Sequence, residues 1–340
     1  TNDGKPYTGD TISIGGTAQG TFATKDVNPS KAITITGNTV TGIDSNNYTV
    51  TQQQGLTGAV TQKALTMSGL SVPASKIYDA TTTAVVSGTP ALTGSEAVGA
   101  GNTGDGLWYT GDTVSITGTA TGTYNDKDVA DATTVTYGGL SLTGAQAGNY
   151  SLTIQSPDAG KTITQKALTV TGITAPGQIY NATTTAVLGG TAAFLSAEAP
   201  GTGTTNDGKP YTGDTISIGG TAAGTFATKD VNPSKAITIT GNTVTGVDSG
   251  NYTVTQQQGL TGAVTAKALT MSGLSVPASK FYDATTTAVV SGTPALTGSE
   301  AVGAGNTSDG LWYTGDTVSI TGTATGTYND KDVADATTVT

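Results

Sequence analysis

The chain contains no cysteine and no histidine, and none of its 14 basic residues is arginine. These absences exclude a disulfide framework, a thiol nucleophile, an imidazole base and a Cys/His zinc site. Without guanidinium groups, and with a formal net charge of -10, the chain is not expected to bind nucleic acid. Metal binding would depend on hard oxygen ligands, for which calcium is the candidate ion, and no other cofactor is expected.

Long apolar runs are also missing, since no stretch approaches the roughly 18 residues that a membrane span requires. We therefore expect no membrane span in this sequence. Thr1 stands in the middle of a repeated pattern, without the charged and apolar regions of a signal peptide. The sequence is thus expected to be part of a longer protein whose targeting signal lies elsewhere.

Threonine and glycine dominate what is present: about one residue in five is Thr, and 49 of 340 residues are Gly. Threonine suits the half-buried surface of a β-sheet. Short runs such as 113–117 and 167–171 alternate apolar and hydroxyl residues, and Gly, Asn and Asp separate the runs. A period of two is typical of antiparallel strands, and no run shows a helical stripe. The sequence predicts an all-β fold.

The order of domains follows from internal repeats. Residues 1–136 recur as 205–340 with six changes, and the tetrapeptide Lys-Ala-Leu-Thr begins at positions 63, 166 and 267. We therefore predict two full modules of about 100 residues, flanked by the C-terminal part of one module and the N-terminal part of another. Their predicted boundaries are 1–62, 63–165, 166–266 and 267–340.

The segment Asp248–Val254, repeated with variation as Asp44–Val50, carries a tyrosine just before a strand-like run. Such a tyrosine is typical of the tyrosine corner in immunoglobulin-type sandwiches, where its hydroxyl bonds to upstream backbone. With about seven short strands per module, an antiparallel Ig-like β-sandwich is the leading prediction. A β-grasp-like module and a β-solenoid are the alternatives.

The junction between modules favours an extended rod. Residues 161–170 run from the end of one module into the start of the next without a Gly-, Pro- or Ser-rich spacer. A junction of this kind should hold neighbouring modules at a fixed angle. The first expected partners are therefore the neighbouring repeats of the same chain.

The motif Tyr78–Thr82, the pair Asn149 and Tyr150, and the recurring Lys-Ala-Leu-Thr start resemble the YDG-type repeats of large bacterial filamentous-haemagglutinin-like adhesins, which are exported by two-partner secretion. The resemblance covers the whole sequence. It implies an extracellular or cell-surface stalk, in which other copies could associate in a fibre or biofilm matrix. The sequence departs from the motif in having Ala in place of Gly at 80, 182 and 284.

Acidic turns are the candidate calcium ligands. Asp126 and Asp128 lie in one such turn and Asp105 in another. Their spacing matches no EF-hand loop, and Asn, Asp and Gly are also the residues that tight turns require. The competing interpretation is that these aspartates only stabilise tight turns and bind no metal ion.

Trp108, Tyr109 and Trp312 are the candidate ligand-binding residues, because an exposed aromatic ring can stack on a sugar. Trp108 is the last residue of the segment 89–108, and Tyr109 follows it. This segment differs most between modules and is expected to be a surface loop. This pattern supports a glycan- or matrix-binding module as the alternative to a structural stalk. An aromatic residue that covers a loop is the simpler interpretation.

Each module contains one glutamate: Glu96, Glu198 or Glu300. A covalent bond between Lys and Asn or Asp would need a carboxylic acid in an apolar setting. The surrounding Ser, Gly and Ala residues of Glu96 predict a solvated side chain, which disfavours such a bond. Carboxylates alone could serve glycoside hydrolysis, but no pair stands out, so an enzyme is not expected.

Overall fold

The computed structural model describes residues 3–99, 102–201, 205–303 and 306–340. Within these ranges the regular structure consists of β-strands and short 3-10 helices. The prediction of an all-β chain is confirmed. No helix among the described residues is long and apolar enough to cross a membrane.

Each of the four sequence segments contains several strands. Residues 1–62 contain β1 (Ser13–Phe22), β2 (Asn28–Thr41) and β3 (Leu56–Val60). Residues 63–165 contain β4 (Lys63–Ser71), β5 (Ser75–Ile77), β6 (Thr83–Ala84), β7 (Ser87–Leu92), β8 (Ser95–Glu96), β9 (Trp108–Tyr109), β10 (Ser115–Tyr124), β11 (Thr134–Thr143), β12 (Tyr150–Thr153), β13 (Asp158–Ala159) and β14 (Thr162–Thr164).

The second half repeats this order. Residues 166–266 contain β15 (Lys166–Thr174), β16 (Gln178–Ile179), β17 (Thr185–Ala186), β18 (Gly189–Phe194), β19 (Ser217–Phe226), β20 (Asn232–Thr245), β21 (Tyr252–Thr255) and β22 (Thr261–Thr265). Residues 267–340 contain β23 (Met271–Ser275), β24 (Thr287–Ala288), β25 (Ser291–Leu296), β26 (Ser299–Glu300), β27 (Trp312–Tyr313) and β28 (Gly326–Thr327). The 3-10 helices are Ser45–Asn47, Ala147–Asn149 and Val247–Asn251.

The chain forms two compact units. The first contains residues 1–76 and 81–164, and the second contains residues 77–80 and 165–340. The first unit has sheets with the strand orders β1-β2-β3, β13-β11-β10-β6 and β12-β4-β7. In the second unit, the sheet β18-β15-β21 corresponds to β7-β4-β12, and the neighbours β17-β19-β20 correspond to β6-β10-β11.

Residues 166–266 form two sheets that share one hydrophobic core. The three-stranded sheet has the order β18-β15-β21, and the five-stranded sheet has the order β16-β22-β20-β19-β17. The pairs β15–β21 and β16–β22 are parallel, so the first strands of the repeat lie beside the last. Strands of both sheets bury the residues of this core: Val170, Ile173, Ala186, Phe226, Ile237, Ile239 and Val264.

Strand β15 shows how the alternating sequence becomes a buried face. Leu168 and Val170 are buried, whereas Ala167, which lies between the buried residues Lys166 and Leu168, is exposed. A bulge then shifts the register near Gly172, which has a φ of +85°. A side chain at Gly172 would collide with the backbone of Thr191, so the bulge requires glycine.

The segment 89–108 is only partly a loop. Residues 89–92 belong to strand β7, which pairs with β4, and β8 pairs in parallel with β9. Residues 89–92 read Thr-Pro-Ala-Leu, a short run without clear alternation, and the β4 edge supplies backbone partners that the local sequence does not reveal. Sequence reasoning therefore placed the start of this loop too early.

Candidate functional site

A buried lysine begins the first strand of each repeat. Lys166 is the first residue of β15 and its side chain is 0% exposed. The pleat of the strand places Lys166 on the same face as Leu168 and Val170, and all three are buried. The lysine therefore extends the core-facing row of β15 with a charged group.

Two carboxylates neutralise this ammonium group. Lys166 Nζ lies 2.5 Å from Glu198 Oε1 and 3.0 Å from Asp207 Oδ1. The Glu198 side chain is only 13% exposed. The expectation that the equivalent Glu96 is solvated is wrong, because the chain folds Glu96 onto Lys63 and leaves its side chain only 11% exposed.

Backbone hydrogen bonds hold both carboxylates in place. The amide of Thr169 in β15 donates to the carbonyl of Gly208 at 2.9 Å, which docks the turn after Asp207 onto the strand. Gly208 has a φ of +80°, and a side chain there would collide with Thr169. Glu198 bonds through its backbone to the strand segment around Tyr211, donating to Pro210 and accepting from Thr212.

The same triad recurs in the other repeats. Lys63 contacts Glu96 and lies 2.8 Å from Asp105 Oδ1. Lys267 contacts Glu300 and lies 2.9 Å from Asp309 Oδ1. We call each set of one lysine, one glutamate and one aspartate the triad of its repeat.

Electrostatics in the triads favour the charged forms. Burial alone would lower the pKa of Lys166, but its hydrogen bonds to Glu198 and Asp207 outweigh burial and raise the pKa. Burial would raise the pKa of Asp207, yet the Lys209 amide and the Lys166 ammonium lower it to about 2. The pKa of Lys63 is raised in the same way, by Asp105 and Glu96 against the effect of burial.

A tyrosine ring lies against each triad. Lys166 Nζ lies 4.1 Å from the centre of the Tyr211 ring, and the equivalent distances are 4.5 Å for Lys63 to Tyr109 and 4.3 Å for Lys267 to Tyr313. A cation over an aromatic face is attracted by the negative charge density of the ring. The ring thus replaces part of the hydration that the buried ammonium has lost.

The predicted tyrosine corner is present in a modified form. Tyr252 begins β21 and its hydroxyl accepts a hydrogen bond from the Tyr211 amide at 3.0 Å. The same bond joins Tyr150 to the Tyr109 amide at 3.1 Å. The hydroxyl does bond to upstream backbone, but the partner is 41 residues earlier rather than a few.

The tyrosine hydroxyl also donates to a buried aspartate. Tyr252 Oη lies 2.6 Å from Asp214 Oδ2, and the Tyr78 hydroxyl donates to the same oxygen at 2.9 Å. Tyr78 is 0% exposed, and its ring makes edge-on contacts with the rings of Tyr211 and Tyr252. Residues 77–80 belong to the second unit, so these contacts lie within that unit.

Equivalent aspartates bind side chains from the preceding repeat. In the second unit, the Tyr180 hydroxyl donates to Asp316 Oδ2 at 2.8 Å, and the Lys229 ammonium contacts the same carboxylate. In the first unit, Lys25 Nζ lies 2.5 Å from Asp112 Oδ1, and Tyr150 donates to Asp112 Oδ2 at 2.7 Å. We call Asp112, Asp214 and Asp316 the junction aspartates.

Tyr78 and Tyr180 each begin a Tyr-Asp/Asn-Ala-Thr motif, and comparison with known families matches this pattern along the chain. The YDG domain matches residues 2–55, 61–159, 164–259 and 265–340. The chain belongs to the YDG domain family. No curated protein and no solved structure matches it. The YDG motif tyrosines Tyr78 and Tyr180 thus bind the junction aspartates Asp214 and Asp316.

The candidate calcium ligands of the YDG repeats have other partners. Asp105 belongs to a triad, and its Oδ1 also accepts from the Leu107 amide at 3.0 Å. Asp126 accepts from the Asp128 amide at 2.9 Å, and Asp128 pairs with Lys127 at 2.8 Å. In the ranges that the structure describes, no three or more acidic side chains form a group that could hold a metal ion.

The candidate aromatic residues lie on short strands of the YDG repeats. Trp108 and Trp312 are half-buried, and the Trp108 amide donates to the Gly94 carbonyl at 3.1 Å. Tyr109 contacts Lys63 through its ring, so that face is occupied. Glycan stacking on Trp108 stays a prediction.

Sequence reasoning missed the triads, although a signal for them was present. The period of two in β15 places Lys166 in phase with Leu168 and Val170, and a lysine in phase with core residues requires a buried anionic partner. The identity of those partners was not predictable, because Glu198 and Asp207 reach the lysine only through the tertiary fold.

Proposed function

We propose that this chain is a structural repeat segment of a secreted or cell-surface bacterial adhesin or extracellular fibre. In this proposal the YDG repeats fold as Ig-like sandwiches and form an extended rod that supplies length and stiffness. Adhesion itself would lie elsewhere in the protein. The support comes from the coverage of the chain by YDG repeats and from their near-identity, which suits a spacer better than a unique site.

The observation that carries the proposal is the binding of each junction aspartate by the preceding repeat. Asp316 in residues 267–340 binds Tyr180 and Lys229 of residues 166–266. Asp112 in residues 63–165 binds Lys25 of residues 1–62. The side chains of Asp112 and Asp316 are only 7% and 17% exposed, so their contacts are partly shielded from water. Several such bonds at one junction resist bending between neighbouring repeats.

The linkers between repeats add to this resistance. Only Thr61 and Gln62 separate β3 from β4, and the Gln62 side chain donates to the Gly148 carbonyl at 3.1 Å. Strand β22 ends at Thr265, and Lys267 already belongs to the triad of the next repeat. Flexible spacers need a run of residues without such anchors.

Small-angle X-ray scattering of the 340-residue chain tests the proposal, with calcium and with chelator. We expect an elongated particle whose maximum dimension and stiffness do not change with chelator, because the candidate calcium ligands Asp105, Asp126 and Asp128 already have other partners. A compact particle in both conditions would contradict the proposal. A particle that straightens only with calcium would show that metal binding, rather than the junction contacts, provides the stiffness.

A matched pair of variants assigns the stiffness to the junction. The double substitution Tyr180→Phe and Lys229→Ala removes the donors to Asp316. We expect it to increase flexibility in the scattering curve. Lys209→Ala is the control, because the Lys209 side chain is 45% exposed and lies outside the junction. Equal flexibility in both variants would contradict the role of the junction aspartate.

A further inference from the structure

We propose that Lys166 and Asp207 condense into an intramolecular isopeptide bond, with Glu198 as the proton carrier. The equivalent sets are Lys63, Asp105 and Glu96, and Lys267, Asp309 and Glu300. This inference goes beyond the structural role proposed above and does not depend on it. The structure carries it in three ways: by proximity, by burial and by the different surroundings of the two carboxylates.

Proximity places the reacting groups in contact. Lys166 Nζ lies 3.0 Å from Asp207 Oδ1 and 2.5 Å from Glu198 Oε1. Groups held in this way can react with effective molarities of about 10⁵–10⁸ M. The amine therefore meets the carboxyl carbon far more often than free molecules in solution would.

Burial favours the product over the ion pair. The Lys166 side chain is fully buried, and Glu198 and Asp207 are 13% and 17% exposed. Keeping one ammonium and two carboxylates out of water carries a desolvation cost for each ion, which opposes their mutual attraction. Condensation replaces one ammonium and one carboxylate by a neutral amide, and it releases a water molecule to solvent.

The two carboxylates differ in their hydrogen-bond donors, and this difference assigns their roles. Asp207 Oδ1 accepts from the Lys209 amide at 3.0 Å, and the corresponding amides are those of Leu107 at 3.0 Å and Leu311 at 2.9 Å. A fixed backbone donor stabilises the oxyanion that forms when an amine attacks a carboxyl carbon. Asp207 is therefore the group attacked, and Glu198 moves protons.

The reaction is balanced without an oxidant or any other reactant. Glu198 takes a proton from the Lys166 ammonium and passes it to Asp207 Oδ2. The neutral Nζ attacks Cγ of Asp207, a C–N bond forms, and the negative charge on Oδ1 faces the Lys209 amide. Glu198 then carries a second proton from nitrogen to the departing hydroxyl, the C–Oδ2 bond breaks, and water leaves.

The resting triad is charged, since the pKa of Lys166 is raised and that of Asp207 is lowered. Attack therefore proceeds from the minor form in which a proton has moved from lysine to carboxylate. This makes the reaction slow compared with enzymatic turnover. A bond that forms once in the lifetime of a molecule does not require a fast step.

The intact mass of the purified 340-residue chain tests the proposal, measured after unfolding in acid. We expect a mass below the sequence mass by three waters, one for each triad. Samples are measured when fresh and after long incubation, so that a slow reaction is detected. A mass equal to the sequence mass in both samples would overturn the proposal.

Peptide mapping separates the isopeptide bond from another loss of water. Each triad aspartate precedes a glycine, as in Asp207–Gly208, and such pairs can close to a succinimide with the same change in mass. Tandem mass spectrometry should find a branched peptide that joins Lys166 to Asp207. An unbranched succinimide, or a branch at Glu198, would overturn the assignment.

The glutamate variant tests the proton carrier. In Glu198→Gln we expect the loss of two waters instead of three, with intact branches at Lys63 and Lys267. Those two repeats serve as internal controls within the same molecule. Lys331→Ala should retain all three bonds, because the Lys331 side chain is 49% exposed and pairs with Asp332 rather than with a triad. A bond at Lys166 that persists in Glu198→Gln would contradict the role of Glu198.

Discussion

Three alanines adopt a left-handed backbone conformation. Ala80, Ala182 and Ala284 have φ values of 59°, 60° and 58°, and they are the non-glycine residues with positive φ in the part of the chain that the structure describes. Each follows the tyrosine of a YDG motif by two residues. A positive φ costs a residue with a Cβ atom roughly 1–2 kcal/mol. The motif turn thus requires the conformation of glycine even where the sequence has alanine.

Ala182→Gly should therefore stabilise the second unit. Glycine relieves the left-handed strain, which stabilises the fold. Its greater entropy in the unfolded chain destabilises the fold by a smaller amount, about 0.4–1 kcal/mol. We expect a net gain of up to about 1 kcal/mol. Thermal denaturation and hydrogen exchange of the amides near residue 182 measure it.

Ala192→Gly provides the control for this substitution. Ala192 lies in strand β18, where glycine weakens a strand. This variant should lose about 0.5–1 kcal/mol. If both variants destabilise the protein equally, strain at Ala182 is not the reason for the glycine of the motif.

At the scale of the element, the YDG turn positions a tyrosine for the next repeat. The Tyr180 hydroxyl donates to Asp316, whose side chain is 17% exposed. The Tyr180 ring also makes an edge-on contact with the Tyr313 ring, and the two ring centres lie 5.9 Å apart. The turn after β16 therefore functions as a connector between two repeats of the second unit.

Tyr180→Phe should weaken this connection selectively. The ring remains, but Asp316 loses one donor and keeps Lys229. We expect a local loss of about 1–2 kcal/mol, which corresponds to roughly a 5- to 30-fold increase in hydrogen exchange. The relevant amides are those of residues 312–316, measured by mass spectrometry.

Tyr282→Phe is the matched control, because Tyr282 occupies the same position of the motif and is 57% exposed. Substitutions at such exposed positions usually change stability by no more than about 0.5 kcal/mol. If Tyr180→Phe behaves like Tyr282→Phe, the bond to Asp316 does not stabilise the junction.

Among elements, the alternating strands were the most predictable. The alternating run 167–171 predicted the central part of β15 (Lys166–Thr174), since side chains of a strand alternate between two environments. The strand β7 was not predicted over residues 89–92, because the run Thr-Pro-Ala-Leu is short, contains proline and shows no clear alternation. Its strand conformation depends on backbone pairing with β4.

At the scale of the whole molecule, paired acids and buried tyrosines limit the pH range of stability. Asp316 has a lowered pKa because of Lys229 and, more weakly, Tyr180. Asp112 has a lowered pKa because Lys25 and Tyr150 outweigh burial. Burial and hydrogen bonds to aspartate raise the pKa of Tyr137 and Tyr150 to about 12.

These shifts predict a plateau of stability from about pH 4 to about pH 10. A carboxylate with a lowered pKa stabilises the fold above its unfolded pKa of about 3.9, and this contribution disappears as the pH falls further. A tyrosine with a raised pKa stabilises the fold below about pH 10, and this contribution disappears as the pH rises through 12.

Circular dichroism melting curves across this pH range test the plateau. Phenolate absorbance should show that Tyr137 and Tyr150 ionise together with unfolding at alkaline pH. Melting temperatures that fall continuously between pH 5 and pH 9 would contradict the prediction, since the chain has no histidine to titrate there.

The sequence by itself determined the all-β class, the tandem repeats and the YDG motif, because alternation and repetition are local or periodic properties that survive without three-dimensional information. Only the tertiary structure decided what the charged residues do. Lys166 meets Glu198 and Asp207, and Asp316 meets Tyr180, across separations of tens of residues or more. Such contacts depend on sheet pairing and on the junction between repeats, and no local pattern encodes them.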